Sequence, residues 1–257
     1  MKFRAIIQAR LDSARLQNKI LEDIGGSPLL EHITNRLNKI SEREFSVVIA
    51  CPVEDQEVLR QKFSSSRIKV VGGDTFDVLS RYLNASQDLL AEDYIIRLTG
   101  DNPFPDLGSF ESCINFSKSD GPEYFYPTGL PLGMGFEFFR ASALRSLLFR
   151  DLQPHHKEHV TIYFREHKHL YDIAELPVGP FVDSESGKHY RPDIRLTVDE
   201  PDDLEMVRKT FLHFQQLGNP MFGARDVSAL YAHMPGFFRD NLSVQQKSAT
   251  SVDLRNR

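Results

Sequence analysis

Cysteine is scarce in this chain: only Cys51 and Cys113 occur among 257 residues, far apart and outside any CxxC spacing. That excludes a disulfide framework and a cysteine zinc site and fits a reducing compartment. Long apolar runs are missing as well. No stretch approaches the ~18 residues of a membrane-spanning helix, and the N-terminus has no signal-peptide h-region, so a cytoplasmic protein with no membrane partner is expected. Positive charge is not in excess. With 31 Lys and Arg against 36 Asp and Glu the formal net charge is −5, which argues against nonspecific nucleic-acid binding. No internal repeat occurs and no linker divides the chain. Residues 1–240 are expected to form one domain, and the polar stretch 241–257, poor in apolar residues, a disordered tail.

What is present alternates. Phe3 to Ile7 is an apolar strand, followed by a turn at Gly25-Gly26. Ser27 as N-cap and Pro28 at the first helical position then predict a helix over LLEHITNRLNKI. FSVVIA (45–50), IKVVGG (68–73) and YIIRLTG (94–100) read as further buried strands, separated by amphipathic helices at 54–63 and after Asp74 or Thr75. Such βα repeats predict a mostly parallel sheet with helices on both faces. The second half is less regular. FEFFR (136–140), YDIAELP (171–177) and RLTVD (195–199) look like strands, with helices at 141–150, about 156–167, and from Pro201 to Gly218.

The first strand runs into a loop carrying Arg10, Ser13, Arg15 and Lys19. In open α/β sheets ligands sit outside the carboxyl ends of the strands, and three cations with a hydroxyl there suit a polyanion such as a nucleoside triphosphate. A solvated basic loop is the plain alternative. Asp101 follows the fourth strand at the same edge, where a carboxylate facing a triphosphate is a hard ligand for Mg²⁺; otherwise it caps the Asn102-Pro103 turn. Asp199 is a second strand-end carboxylate, with N-capping of the following helix as its alternative. Together the two could anchor one Mg²⁺. His155, His156 and His159 include an i,i+4 pair, but without the HExxH order or an evident third ligand. Arg97 reads as a paired structural residue. The aromatic stretch 121–139 reads as core strands, with the lining of an acceptor pocket as the alternative.

Five collinear segments carry a resemblance: ARLDSARLQNKIL, GGDTFDVLSRY, RLTGDNPFPD, EHVTIYFRE and RLTVDEPDDLEMVR, spanning about residues 1–215. They resemble the cytidylyltransferase-like group that holds the spore coat polysaccharide biosynthesis protein F family and the KDO and acylneuraminate cytidylyltransferases. The resemblance implies a Rossmann-like nucleotide-diphospho-sugar transferase fold and a nucleotidyltransferase. On its positions Ala9, Arg10, Ser13, Arg15, Lys19 and Asp101 bind nucleotide. Arg10, Lys19 and Asp101 are catalytic among them, and Asp101 with Asp199 holds Mg²⁺.

The chain departs from that pattern at Asp12, where the family has Gly, at Gln17-Asn18, where it has Pro-Gly, and at Gly135, where it has a carboxylate. Glycine allows close backbone approach to phosphate, whereas Asp12 adds negative charge beside it. The expected activity is Mg²⁺-dependent activation of a sugar, with CTP the favoured triphosphate, for surface polysaccharide biosynthesis. A glycosyltransferase consuming a nucleotide-sugar is the neighbouring alternative, although such a donor has no γ-phosphate for this loop to hold. A nucleotide-binding protein that has lost catalysis is another. The residues leave the sugar, the base and the oligomeric state open, a homodimer being one allowed arrangement.

Overall fold

The computed structural model describes residues 1–13, 15–119 and 121–245. Its centre is a seven-stranded sheet of order β5-β4-β1-β6-β8-β7-β9, built from β1 (Phe3–Gln8), β4 (Phe45–Pro52), β5 (Ile68–Gly73), β6 (Tyr94–Thr99), β7 (Tyr124–Thr128), β8 (Glu137–Arg140) and β9 (Ile173–Pro177). Strand β8 runs antiparallel to both neighbours and every other pair is parallel, so the sheet is mostly parallel as expected.

Alternation along the strands feeds two cores. Ala5, Ile7, Val47, Ile49, Ile96, Leu98 and Phe138 share one buried cluster with residues of α1 (Leu29–Leu37), α2 (Gln56–Phe63), α4 (Leu107–Lys118), α8 (Pro201–Gln216) and α9 (Ala224–His233). Ile6, Val48, Ala50, Ile95 and Phe139 face the other way, onto α3 (Val78–Ala85), α5 (Ala141–Ser146) and α7 (Ile162–Glu166), while α6 (Pro154–His159) packs on α3. Burial on both faces is why the strands read as continuous apolar runs. Among the described residues no helix is long and apolar enough to cross a membrane.

The structure differs from several expectations. Ser27 and Pro28 do not open a helix; they form β3 (Ser27–Pro28), paired with β2 (Asp23–Ile24) across Gly25 and Gly26. Those glycines have φ of 61° and 97°, the left-handed backbone that a two-residue hairpin demands. Helix α3 starts later than expected and is capped by Asp77, whose side chain accepts from the Ser80 N–H. RLTVD is not a strand. Arg195 makes one parallel bridge with Leu132, after which Gly133 turns the partner chain away with φ 94°.

The helix expected at 156–167 is broken at Val160, a fully buried β-branched residue with φ 41° and ψ −56°. Thr161 N–H closes a tight turn onto His159 O there, and backbone of this kind costs on the order of 1–3 kcal/mol. Packing also continues past residue 240. Asn241 is fully buried, its side chain donating to Arg195 O and to Asp203 Oδ1, and Val244 is buried. Residues 246–257 of the expected tail lie outside the described residues.

Candidate active site

Strand order places the site. From β1 the chain steps outward to β4 and β5, then returns to β6 on the other side of β1, so the order reverses between β1 and β6. Ligands of open α/β sheets take the crevice at such a switch. Here Ala9 and Arg10 follow β1, and Gly100 and Asp101 follow β6. A Cβ on Gly100 would lie 3.1 Å from both Ala9 Cβ and Gln8 O, so glycine lets the Asp101 turn settle against β1.

The basic loop folds back on itself. Asp55 accepts from Leu11 N–H at 2.8 Å, and Asn18 N–H returns to Leu11 O at 2.9 Å. Asn18 has φ 54° and ψ 21°, the left-handed conformation that asparagine tolerates better than most residues. The backbone shape that glycine would supply therefore survives in this chain. A short 3₁₀ turn, Lys19–Leu21, follows directly.

Lys19 Nζ lies 3.1 Å from Asp101 Oδ2 and 3.6 Å from Asp199 Oδ1, and donates to Val198 O at 2.8 Å. Arg15 reaches Asp199 Oδ1 at 2.6 Å and Glu200 Oε1 at 3.1 Å. Val198 N–H donates to Asp101 O at 2.9 Å, tying the two carboxylate loops together. Two carboxylates ninety-eight positions apart thus converge on one ammonium. Burial pushes the Asp101 carboxyl up, but the Lys19 ammonium and hydrogen bonds from Thr99 and Lys19 outweigh it and hold the group below its ordinary range.

Asp199 is not the helix cap. Glu200 holds the N-cap position of α8, and fully buried Asp203 accepts from Asp199 N–H at 2.9 Å and Glu200 N–H at 3.1 Å. Asp203 also takes Arg195 Nε at 2.7 Å, while Arg195 Nη2 reaches Asp199 Oδ2 at 2.9 Å. The Asp199 carboxylate thus faces Arg15, Lys19 and Arg195. Of the other expected residues, Ala9 and Ser13 are buried on the loop. Arg10 lines a cleft over the ends of β1, β4 and β5 with Asp12, Pro52, Glu54, Asp55, Thr75 and Phe76.

A second polar group lies on the α3/α7 face. Glu137 accepts from Arg97 at 2.9 Å, Arg165 at 2.6 Å, the Tyr124 hydroxyl at 2.7 Å and the Thr161 hydroxyl at 2.8 Å. Burial pushes its carboxyl up, yet the two guanidiniums and two hydroxyls hold it down at about 2. Arg97 is therefore ion-paired, as its sequence context indicates. The third partner for the histidine pair is Glu166, not His159: His155, His156 and Glu166 place ligand atoms within 4.8 Å of one another. His156 Nδ1 accepts from Gln153 N–H, so Nε2 carries the proton and donates to Glu166 at 2.7 Å. That leaves the ring no lone pair for a metal.

Sequence reasoning missed Asp55, Thr99 and Asp203. The available signal was a polar side chain at the carboxyl end of an apolar strand, as at Thr99, and the last aspartate of DEPDD.

Residues 4–223 match the family described as Cytidylyltransferase. The chain is 30% identical over 212 residues to the spore coat polysaccharide biosynthesis protein SpsF of Bacillus subtilis, covering 80% of this chain and 85% of that one. It is also 30% identical over 116 residues to 3-deoxy-manno-octulosonate cytidylyltransferase 2 of Hydrogenovibrio crunogenus, covering 44% and 46%. Among solved structures, a cytidylyltransferase from Leptospira borgpetersenii superposes with TM-score 0.76 at 24% identity, covering 96% of this chain and all of that one. CMP:2-keto-3-deoxy-manno-octonic acid synthetase complexed with CTP superposes with TM-score 0.60 at 17% identity, covering 83% and 99%. These structures share the fold: a mostly parallel α/β sheet of the nucleotidyltransferase type. The chain belongs to the cytidylyltransferase family and is a nucleotidyltransferase.

Proposed function

We propose that the chain is a Mg²⁺-dependent cytidylyltransferase that moves the CMP group of CTP onto a sugar hydroxyl, supplying an activated sugar for a surface polysaccharide. The observation that carries this reading is the meeting of Arg15 and Lys19 with Asp101 and Asp199 at the switch between β1 and β6. The names of two relatives support it: one belongs to spore coat polysaccharide biosynthesis, the other is a synthetase in complex with CTP. In the reaction a sugar oxygen bonds to the α-phosphorus, the bond to the bridging oxygen breaks, pyrophosphate leaves and the hydroxyl proton passes to solvent. Arg10, Arg15 and Lys19 neutralise and orient the triphosphate, with Ser13 and the Ala9 backbone on the same loop.

The donor set fits a divalent cation. Two hard carboxylates already converge on the Lys19 ammonium, which stands in for a positive charge at that spot. Asp101 and Asp199 would hold Mg²⁺, which when bound neutralises charge on the transferring phosphoryl group.

Pyrophosphate release, followed for each of CTP, UTP, ATP and GTP with a panel of sugars, tests the reading. Sugar-dependent release from CTP, abolished by EDTA, is expected. Pyrophosphate from none of the four, or transfer of sugar out of a CMP-sugar instead, would overturn it.

A further inference from the structure

The Asp199 carboxylate has two sides. Oδ1 faces Arg15 and Lys19 on the basic loop, and Oδ2 faces Arg195 toward the interior. When Arg15 and Lys19 turn to a triphosphate, Arg195 is the partner that still orients the carboxylate. Its guanidinium is fixed by Asp203, through Nε at 2.7 Å and Nη2 at 3.1 Å. The backbone of Arg195 has no strand to hold it. Leu132 pairs with Ile194 O and with Leu196 N–H, which leaves the Arg195 carbonyl to be met from the other side.

Asn241 meets it. The Asn241 Nδ2 donates to Arg195 O at 3.1 Å and to Asp203 Oδ1 at 2.8 Å. A carbonyl and a carboxylate only accept, so the amide has to present its NH₂ to them. At its other end Oδ1 is buried with no hydrogen-bond partner among the described residues. An unpaired buried acceptor is unfavourable, and a leucine would fill a similar volume without it. Stability alone therefore does not account for an asparagine at this position, whereas its two donated hydrogen bonds do.

The segment that delivers Asn241 is fastened to the helix that starts at the site. After α9 comes a 3₁₀ turn, Pro235–Phe238, with Phe238 in the larger core. Lys209 of α8 donates to Phe237 O at 2.9 Å and to Asp240 Oδ2 at 2.7 Å. Buried Val244 closes a turn back onto Asn241 O. Helix α8 begins two residues after Asp199, so the segment grips it at Lys209 and again at its first turn, through Asp203. The family match ends at residue 223, and this support comes from the chain beyond it.

We propose that Asn241 is a positioning residue for the metal site. By joining Arg195 O to Asp203 it sets the direction from which Arg195 holds Asp199, and with it the place of the Asp199 Oδ1. This rests on the reading of Asp199 as a Mg²⁺ ligand. Removing a group that orients a metal ligand typically weakens metal binding ten- to hundredfold. Asn241 acts through Arg195, so the low end of that range applies.

The test is calorimetric titration of MgCl₂ and of CMP into the full chain. Asn241→Leu, which keeps the volume and removes the NH₂, should weaken Mg²⁺ binding about tenfold while the CMP dissociation constant moves by less than twofold. Asn241→Ala serves should the leucine variant fail to fold. Thr210→Ala is the control for destabilisation of α8: it removes a buried hydroxyl bonded to Met206 O, two turns along from Asp203. It should lower the melting temperature and leave Mg²⁺ affinity as it is. Unchanged Mg²⁺ affinity in a folded Asn241 variant would overturn the proposal. An equal loss in Thr210→Ala, or failure of both Asn241 variants to fold, would overturn it too, since each marks a structural role alone. Failure of the metal reading has a different signature, and the proposal falls with it: Asp199→Asn would bind Mg²⁺ as tightly as the wild type.

Discussion

Replacing Lys19 with methionine separates the two partners that its ammonium stands for. In the free protein Nζ sits 3.1 Å from Asp101 and 3.6 Å from Asp199, so it occupies the ground a divalent cation would take. With triphosphate bound, the same ammonium has phosphate oxygens to turn to. Lys19→Met therefore predicts opposite effects on two ligands. The β- or γ-phosphate loses a charge-assisted hydrogen bond of roughly 1.5–3 kcal/mol, about ten- to hundredfold in CTP affinity, with little change for CMP. Free Mg²⁺ should bind more tightly, because a unit charge 3–4 Å from the carboxylates is gone. At an effective dielectric of ~20 that charge is worth up to about 4 kcal/mol, and allowing for solvent at the half-open site a gain of at least tenfold remains. Asp199 keeps Arg15 at 2.6 Å and Arg195 at 2.9 Å, and Asp101, whose side chain is 27% exposed, keeps its hydrogen bond from Thr99 and can turn to water, so stability should fall by only ~1–2 kcal/mol, short of the larger losses seen when a buried charge is left with no partner. Calorimetric titration of CTP, CMP and MgCl₂ into both proteins reads all three terms. Equal losses for CTP and CMP would remove Lys19 from the terminal phosphates. Unchanged or weaker Mg²⁺ binding would remove Asp101 and Asp199 from the metal.

Asp199→Asn should lower kcat by ~10³-fold or more at saturating Mg²⁺ and leave the α8 start intact, since Glu200 and Asp203 form its capping box; wild-type turnover would refute the metal role. If the loop is active as it stands, Asp12→Gly should change CTP affinity by less than tenfold; a hundredfold gain, about 2.7 kcal/mol, would mark the loop as degenerate. Acid should act through Glu137, whose folded value of about 2 lies below its usual 4.5. Its stabilisation, on the order of 3 kcal/mol, is complete above pH 4.5 and disappears as pH falls through 2. The margin of wild type over Glu137→Gln in thermal melts should narrow between pH 5 and 2, and a constant margin would refute the assignment.

The half of the fold that the sequence discloses is the half made of local signals. Apolar runs at 3–7, 45–50 and 94–100 mark strands buried on both faces and the run at 68–73 marks the edge strand, and each appears within two residues of its expected end. Helix α4 escapes because LGSFESCINFSK carries a glycine and three serines, weak helix formers; Asp106 capping at Ser109 N–H and one buried face supply what propensity lacks. The break at Val160 escapes for the opposite reason. Helical periodicity runs straight through 156–167, and a contact far away in sequence, the Thr161 hydroxyl on Glu137 at 2.8 Å, accompanies the turn that interrupts it.

The site divides along the same line. The meeting of Lys19 with Asp101 is legible because strand-end loops must gather at one edge, and charges of opposite sign there have little choice but to meet. Which aspartate of DEPDD caps and which faces the loop is not legible, because both fit the local pattern. Only Arg195, fixed by its bridge to Leu132 and held by Asp203 at 2.7 Å, decides it. The pairing also answers why three cations can crowd a loop in a protein of net charge −5. Each of Arg15 and Lys19 has a carboxylate partner while the site awaits substrate, so the loop is folded in advance and binding exchanges ion pairs instead of creating order. If the loop holds triphosphate and the two carboxylates a divalent cation, as proposed, preorganisation of that kind lowers the entropy cost of association, and the two ligands together compensate both sides of the exchange.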